Sequence, residues 1–289
     1  MPAYSPVLIV GATGKQGSAV VRALLAQPNP PQIRALSRKP SSPAARKLKS
    51  QGVEVVRGDL TDPQSLEEAL VGIRSAFLVT TRPAKGHPAE DAQGLAFIAA
   101  AKRANLAFLV FSSVTDATPT IGIPHFETKA RIEEGLRESG IEWAVVAPVM
   151  FMDNFPTQNN WMLFLALGFF HAVFGSQKLQ LVSTNDIGYV AATMLSNPAT
   201  YSNRRLNLAS DVLSTCEIQS TYSRILNQPV WSTWMPSFVI YLIPDAFRRQ
   251  MRWMREVGSS ADVERCRWEF PELQGFEGWL RERVGGKEE

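Results

Sequence analysis

The sequence predicts an α/β protein, a doubly wound parallel sheet of the Rossmann type with a smaller, helix-rich part. Short apolar runs alternate with helix-period segments through the first half of the chain, as successive βα units do. A glycine triplet sits between the first apolar run and the first helix, where such a fold makes its first turn. The 289 residues, 45% hydrophobic and 20% charged, suffice to bury a core of that size.

Each element has a local reason. Val7 to Val10 is an all-aliphatic run and reads as the first strand; after the glycines a helix is expected over Ser18 to Ala26. Gln32 to Ser37 and Val53 to Arg57 are the second and third strands, with a helix over Ser42 to Gln51 between them. Thr61-Asp62-Pro63 opens the next helix, with proline at an early position where its missing N–H costs nothing. Ala76 to Thr80, Ala107 to Ser112 and Glu142 to Ala147 are the remaining strands of this half. The helices before the last two run over Ala89 to Ala104 and Phe126 to Ser139. Beyond Pro148 the chain is rich in Trp, Phe and Met, and reads as helix-dominated. It is expected to interleave with the first half, through a helix opened by Asp186-Ile187-Gly188 and a strand at Arg205 to Leu208.

Composition narrows the function classes. A net charge of +3 with scattered cations is too mild for a nucleic-acid binder. Cys216 and Cys266 are the two cysteines, too few for a disulfide framework or a thiolate metal site, and a reducing, cytoplasmic location is expected. No metal is expected either, because His87, His125 and His171 show no ligand spacing. The opening residues, MPAYSPVLIVGATG, do not read as a secretory leader. Trp161 to Phe174 is apolar but shorter than the ~18 residues a membrane span needs. It reads as a core helix or pocket wall.

The strongest motif is Gly11-Ala12-Thr13-Gly14-Lys15-Gln16-Gly17. Glycines at this spacing allow the tight turn, the close approach of backbone to a pyrophosphate, and close packing of helix on strand. The phosphates then meet backbone N–H groups and the positive end of the helix. With a strand before it and a helix after it, the motif predicts dinucleotide binding. About twenty residues on, NAD-binding folds place a carboxylate for the adenosine ribose. Here Arg38 and Lys39 stand there instead, and two cations suit a 2′-phosphate. The expected cofactor is NADP(H). Asp59 and Leu60, after the third strand, are candidate adenine contacts; Thr80 and Thr81, after the fourth, would line the ribose–nicotinamide path.

GATGKQG, ALSRKP, VRGDLTDPQSL, HFETKARIEEGL, PVMFMDNF and NDIGYVAATML together resemble the NmrA-like family of atypical short-chain dehydrogenase/reductases, across essentially the whole chain. That resemblance implies either an enzyme similar to isoflavone-reductase-type and quinone-reductase-type proteins, or a redox-sensing regulator that binds NADP(H) without catalysis. Ordinary short-chain dehydrogenases use Tyr-x-x-x-Lys with a serine after the fifth strand. Lys129 keeps the lysine position and His125 stands in the tyrosine's place, one helical turn away. The serine's place, third in the run after Phe111, falls on Val114. Lys129 is therefore a candidate for the nicotinamide ribose, against a surface lysine paired with Glu133. His125 is a candidate proton donor, against a structural histidine at a helix start. By resemblance, Pro148, Phe151 and Asn154 fall on the nicotinamide side of the cofactor, with an Asx turn as the alternative for Asn154.

The chain thus divides into an NADP(H)-binding domain, 1–150, and a smaller, interleaved substrate-binding part, 151–289. Phe151, Phe155, Trp161, Phe164, Phe169 and Phe170 favour a flat apolar or aromatic substrate, if a minority of them form a lid. Asp245 to Arg255 reads as a solvated amphipathic helix capped by Asp245, with a membrane surface as the alternative. Two functions stay open. One is an NADPH-dependent reductase moving hydride to a carbonyl, quinone or conjugated double bond, with Lys129 and the apolar second half in its favour. The other is a sensor that recognises a protein partner, with the missing tyrosine in its favour.

Overall fold

The computed structural model describes residues 4–80 and 89–285, the Val239 side chain aside. Two compact units emerge: one of residues 1–121, 125–147 and 187–206, the other of 122–124, 148–186 and 207–289.

The first unit begins with β1 (Val7–Val10), α1 (Lys15–Leu25), β2 (Ile33–Ser37), α2 (Pro43–Ser50) and β3 (Glu54–Arg57). It continues through α3 (Pro63–Leu70), β4 (Ser75–Val79), α4 (Glu90–Arg103), β5 (Phe108–Ser112), α5 (Pro124–Glu138) and β6 (Glu142–Pro148). The strands stand in the order β3-β2-β1-β4-β5-β6, with a seventh, β9 (Arg204–Leu208), beside β6. Every pairing from β3 to β6 is parallel. The chain winds outward from β1 in one direction to β3, then in the other from β4 to β6. Their order reverses between β1 and β4, the crevice at which open α/β sheets bind ligands.

The strand assignments agree with the sequence to within one residue, and the central strands β1, β4 and β5 are short apolar runs buried almost throughout. Leu8 and Ile9, Phe77 and Leu78, and Phe108 to Phe111 have no exposed surface. Burying a phenylalanine of this kind is worth roughly 1.5–3 kcal/mol. Leu8, Phe97, Phe111, Ile132, Leu136 and Val145 share one cluster, which packs α4 and α5 onto the sheet. The caps are local: Ser42 accepts from Ala45 N–H, and Asp62 from Ser65 N–H with Pro63 in the first turn. One boundary moves. α1 begins at Lys15, not Ser18, because Gly14 is the cap residue in extended conformation and Gly17 lies inside the first turn.

The second unit holds β7 (Met150–Phe151), α6 (Trp161–Phe174), β8 (Lys178–Val182), the start of α7 (Thr184–Ser196) and β10 (Asp211–Ser214). α9 (Thr215–Ile225), α10 (Asp245–Glu256), α11 (Val263–Glu269) and α12 (Phe276–Gly285) follow. The rest of α7 and the short α8 (Pro198–Tyr201) belong to the first unit. The three strands form a small sheet, β10-β8-β7, that a reading for helices alone omits. Its core is aromatic: Phe155 stacks on Phe170 at 4.6 Å between ring centres, and Phe276 packs against Phe155, Tyr222 and Trp279. Trp161 and Phe164 are exposed, so the aromatic run divides between core and surface. Asp245 is not a cap residue. Pro244 occupies that place, and Asp245 in the first turn pairs with Arg248 and Arg249. Among the described residues no helix is long and apolar enough to cross a membrane.

Candidate functional site

The glycine loop assigns each glycine a separate task. Gly11 has φ +72°, the left-handed region, and its carbonyl accepts from Gly14 N–H at 2.8 Å, closing the turn. Gly14, at φ −92°, caps α1 with backbone alone, so no side chain covers the first-turn N–H groups. Gly17 packs the helix onto the loop: a Cβ there would lie 2.2 Å from Gly11 O and 2.8 Å from Ala12 N. Gln16 anchors the assembly sideways, its Oε1 accepting from Ser112 Oγ at 2.6 Å. Ala12 is fully buried, while Thr13 and Lys15 are exposed.

At the neighbouring end of β2, Ser37 is buried and its Oγ accepts from Lys39 N–H. Arg38 and Lys39 point outward, and neither enters an ion pair among the described residues. No carboxylate follows β2 where an NAD-binding fold would hold one. After β3, Asp59 Oδ1 accepts from both N–H and Oγ1 of Thr61, so this oxygen shapes the turn into α3. Leu60 packs half-buried against the core.

Beyond β4 and β5 the structure gathers Thr80, His125 and Lys129 around a residue that the motifs do not single out, Glu90. Lys129 is 3% exposed, so it is not a surface lysine. Its Nζ donates to Thr80 O at 3.0 Å, Thr80 Oγ1 at 2.9 Å and Ser112 O at 3.2 Å, and pairs with Glu90 Oε1 at 3.0 Å. The Phe111 ring lies beneath it. Nor is Glu133 its partner; that buried carboxylate takes Ser113 Oγ, Arg137 and Arg205. Glu90 Oε1 also accepts from Thr80 Oγ1, and Oε2 faces His125 Nδ1 at 3.3 Å and Thr128 Oγ1 at 3.3 Å. His125 is half-buried, and Val114 O accepts from Arg205.

Burial would raise the Glu90 carboxyl, but the His125 hydrogen bond and the Lys129 and His125 charges overcome it and hold it at about 2. Burial pulls the Lys129 ammonium below its ordinary value, opposed by Glu90. The pair is legible only in three dimensions: Glu90 opens a helix, an ordinary place for an acid, and lies 39 positions from Lys129. The signal available in sequence was indirect. A buried cation needs a carboxylate in contact, and its helix neighbour Glu133 is engaged by Ser113, Arg137 and Arg205.

Thr81 and His87 lie outside the described residues. Pro148, Phe151 and Asn154 belong to the second unit: Pro148 is buried at the end of β6, Phe151 is half-buried in β7, and Asn154 is exposed at the end of a 3-10 turn. Its neighbour Asp153 is engaged by Thr184 and Arg283. The same unit carries a groove of about 450 Å³ between α6 and the segment 232–235, where His171 Nε2 lies 2.8 Å from Gln219 Oε1.

The NmrA-like family model matches residues 4–279. An NAD(P)H azoreductase from Xenophilus azovorans is 31% identical over 227 residues, covering 78% of this chain and 75% of that protein. The crystal structure of a Citrobacter sp. triphenylmethane reductase complexed with NADP(H) superposes with a TM-score of 0.77 at 20% identity, over 96% of this chain and 99% of the other. NmrA, a negative transcriptional regulator, in complex with NADP, superposes with a TM-score of 0.77 at 20% identity, over 98% and 97%.

Proposed function

The chain belongs to the NmrA-like family, and from that premise we propose that it is an NADP(H)-dependent oxidoreductase that reduces flat, apolar, aromatic molecules. The observation that carries the reading is the glycine loop beside Arg38 and Lys39. Gly14 caps α1 with backbone only, so N–H groups and the helix dipole face one anion site, and a larger residue there would fill the cradle. The two outward cations at the end of β2, with no acid beside them, favour a ribose 2′-phosphate over a free 2′-hydroxyl.

NADPH supplies the hydride. The residues of this chain then supply orientation and the proton. Gly11 to Gly17 would hold the pyrophosphate, and Arg38 and Lys39 the 2′-phosphate. Asp59 and Leu60 would border the adenine. Lys129 ties the ends of β4 and β5 together; its donors are already matched by acceptors, so a ribose hydroxyl gains it only by exchange with Thr80 or Ser112. His125 would hold the proton for the acceptor's heteroatom. One relative is named an azoreductase and one structural neighbour a triphenylmethane reductase, and a carbonyl, quinone or conjugated double bond of an apolar aromatic molecule is the proposed acceptor.

The test is NADPH oxidation followed at 340 nm with a panel of quinones, aromatic ketones, enones and azo compounds. Turnover with NADPH preferred over NADH supports the reading. A protein that binds NADPH yet turns over none of them, and whose affinity for a protein partner follows the dinucleotide's redox state, is instead a sensor; the missing tyrosine favours that second reading.

A further inference from the structure

We propose that Glu90 is a positioning residue that fixes the tautomer of His125, so that the ring's Nε2 is the nitrogen that exchanges protons. The inference rests on the reductase reading for its consequence, though not for its geometry. Glu90 is 4% exposed and its carboxyl is divided between two tasks. Oε1 is occupied by Lys129 Nζ and Thr80 Oγ1, at 3.0 and 2.9 Å. Oε2 faces His125 Nδ1 and Thr128 Oγ1. With a buried ammonium on one side, the carboxyl stays ionised and has no proton to give.

A carboxylate only accepts hydrogen bonds, so the contact with Nδ1 is attractive only if Nδ1 carries the hydrogen. In the neutral ring the lone pair then lies on Nε2, the nitrogen turned away from Glu90. Thr128 Oγ1 stands between the same oxygen, at 3.3 Å, and His125 O, at 2.9 Å, and its single hydrogen serves one or the other, so the acid lies against the first turn of α5. Proton transfer through Nε2 balances: as an imidazolium the ring releases that hydrogen to the acceptor's heteroatom, keeps the one on Nδ1, and regains the first from water. Lys129 has a defined part as well. It neutralises the carboxylate, which would otherwise be too costly to bury so close to a ring that changes charge.

Long-range ¹H–¹⁵N correlation of the histidine rings in the full chain tests this, recorded at a pH where the rings are neutral. The chain has three histidines, and His125→Asn identifies the signals by their loss. The expected result is an Nδ1–H ring at His125; an Nε2–H ring, or an averaged mixture, overturns the proposal. Glu90→Gln supplies the second measurement. Its amide oxygen must face Lys129 and Thr80, leaving the NH₂ toward His125, so the ring flips to Nε2–H. A folded Glu90→Gln protein that keeps Nδ1–H also overturns it, and Glu90→Asp should restore the original tautomer. Turnover of Glu90→Gln should fall on the order of ten- to a hundredfold, as when carboxylates that orient ligating histidines are removed. The Glu90→Gln, His125→Ala double variant should be no slower than His125→Ala alone. An Nδ1–H ring in a protein without turnover leaves the positioning intact and fails the reductase reading alone.

Discussion

Gly17 sits so close to Gly11 that a Cβ on the first would lie 2.2 Å from the carbonyl oxygen of the second, with Gly11 C at 2.5 Å. Both neighbours are backbone and neither can rotate away. Gly17→Ala should therefore push α1 off the loop and cost about 1–3 kcal/mol, lowering the melting temperature by several degrees. Gly14 makes the contrast. Its backbone is extended and a Cβ would meet Gly11 O at 3.3 Å, so Gly14→Val should melt close to the parent. The same variant should lose NADPH binding, because its side chain enters the phosphate space. Calorimetry and NADPH fluorescence titration on both variants separate the two roles; equal melting losses would remove the distinction.

Arg38→Ala tests cofactor choice. Loss of a charged hydrogen-bond partner costs on the order of 1.5–3 kcal/mol, so NADPH affinity should fall roughly ten- to a hundredfold while NADH affinity barely moves. Identical titrations for the two cofactors in the parent would sink the assignment.

The central strands β1, β4 and β5 were legible in the sequence because each is a contiguous run buried almost throughout, and burial is what the apolar pattern records. The glycine loop was legible for a related reason: its spacing is a direct statement about backbone approach. The start of α1 was not, since a cap made of backbone leaves no serine or aspartate to mark it. Lys129 and His125 are marked as candidates by their place in the motif, but their shared partner is not. Glu90 acquires its meaning from Thr80, at the end of β4, and from His125 and Lys129, both on α5, and no local pattern in EDAQGLAF reports that. The small sheet of β7, β8 and β10 was missed for another reason. Strands of two to five residues beside long apolar helices carry little periodicity of their own.

The buried pair has a measurable coupling. Lys129→Met leaves Glu90 enclosed without its cation and should cost about 3–5 kcal/mol. Adding Glu90→Gln to that background should return a good part of the loss. Urea unfolding of the parent, two single variants and the double gives the interaction energy directly. Additive losses would show that the pair contributes nothing as a pair.

Acid should expose the same carboxylate. Glu90 is held at about 2 in the folded chain against an ordinary 4.5. A depressed folded value favours folding above the ordinary one, so the contribution is complete above pH 4.5 and disappears as the pH falls toward 2. Its size is on the order of 3 kcal/mol. The difference in unfolding free energy between the parent and Glu90→Gln, measured at several pH values, should shrink across that window. A difference constant with pH would contradict it.

The path of the backbone through the first unit has a practical consequence. The chain leaves that unit after Ala147 and returns for residues 187–206, which bring β9 to the edge of the sheet and α7 against α1. Gly188 lies so near α1 that a Cβ would be 2.5 Å from Ala19, and Gln27 bonds Ser196 at 2.8 Å. The helix that begins at the glycine loop is thus braced by a segment encoded far downstream. An N-terminal fragment ending near residue 150 would contain the whole glycine motif and still lack this brace. A ribosome must pass Leu206 before this unit can finish folding, and a minimal recombinant version of it has to be spliced from two stretches of the gene rather than cut from one end.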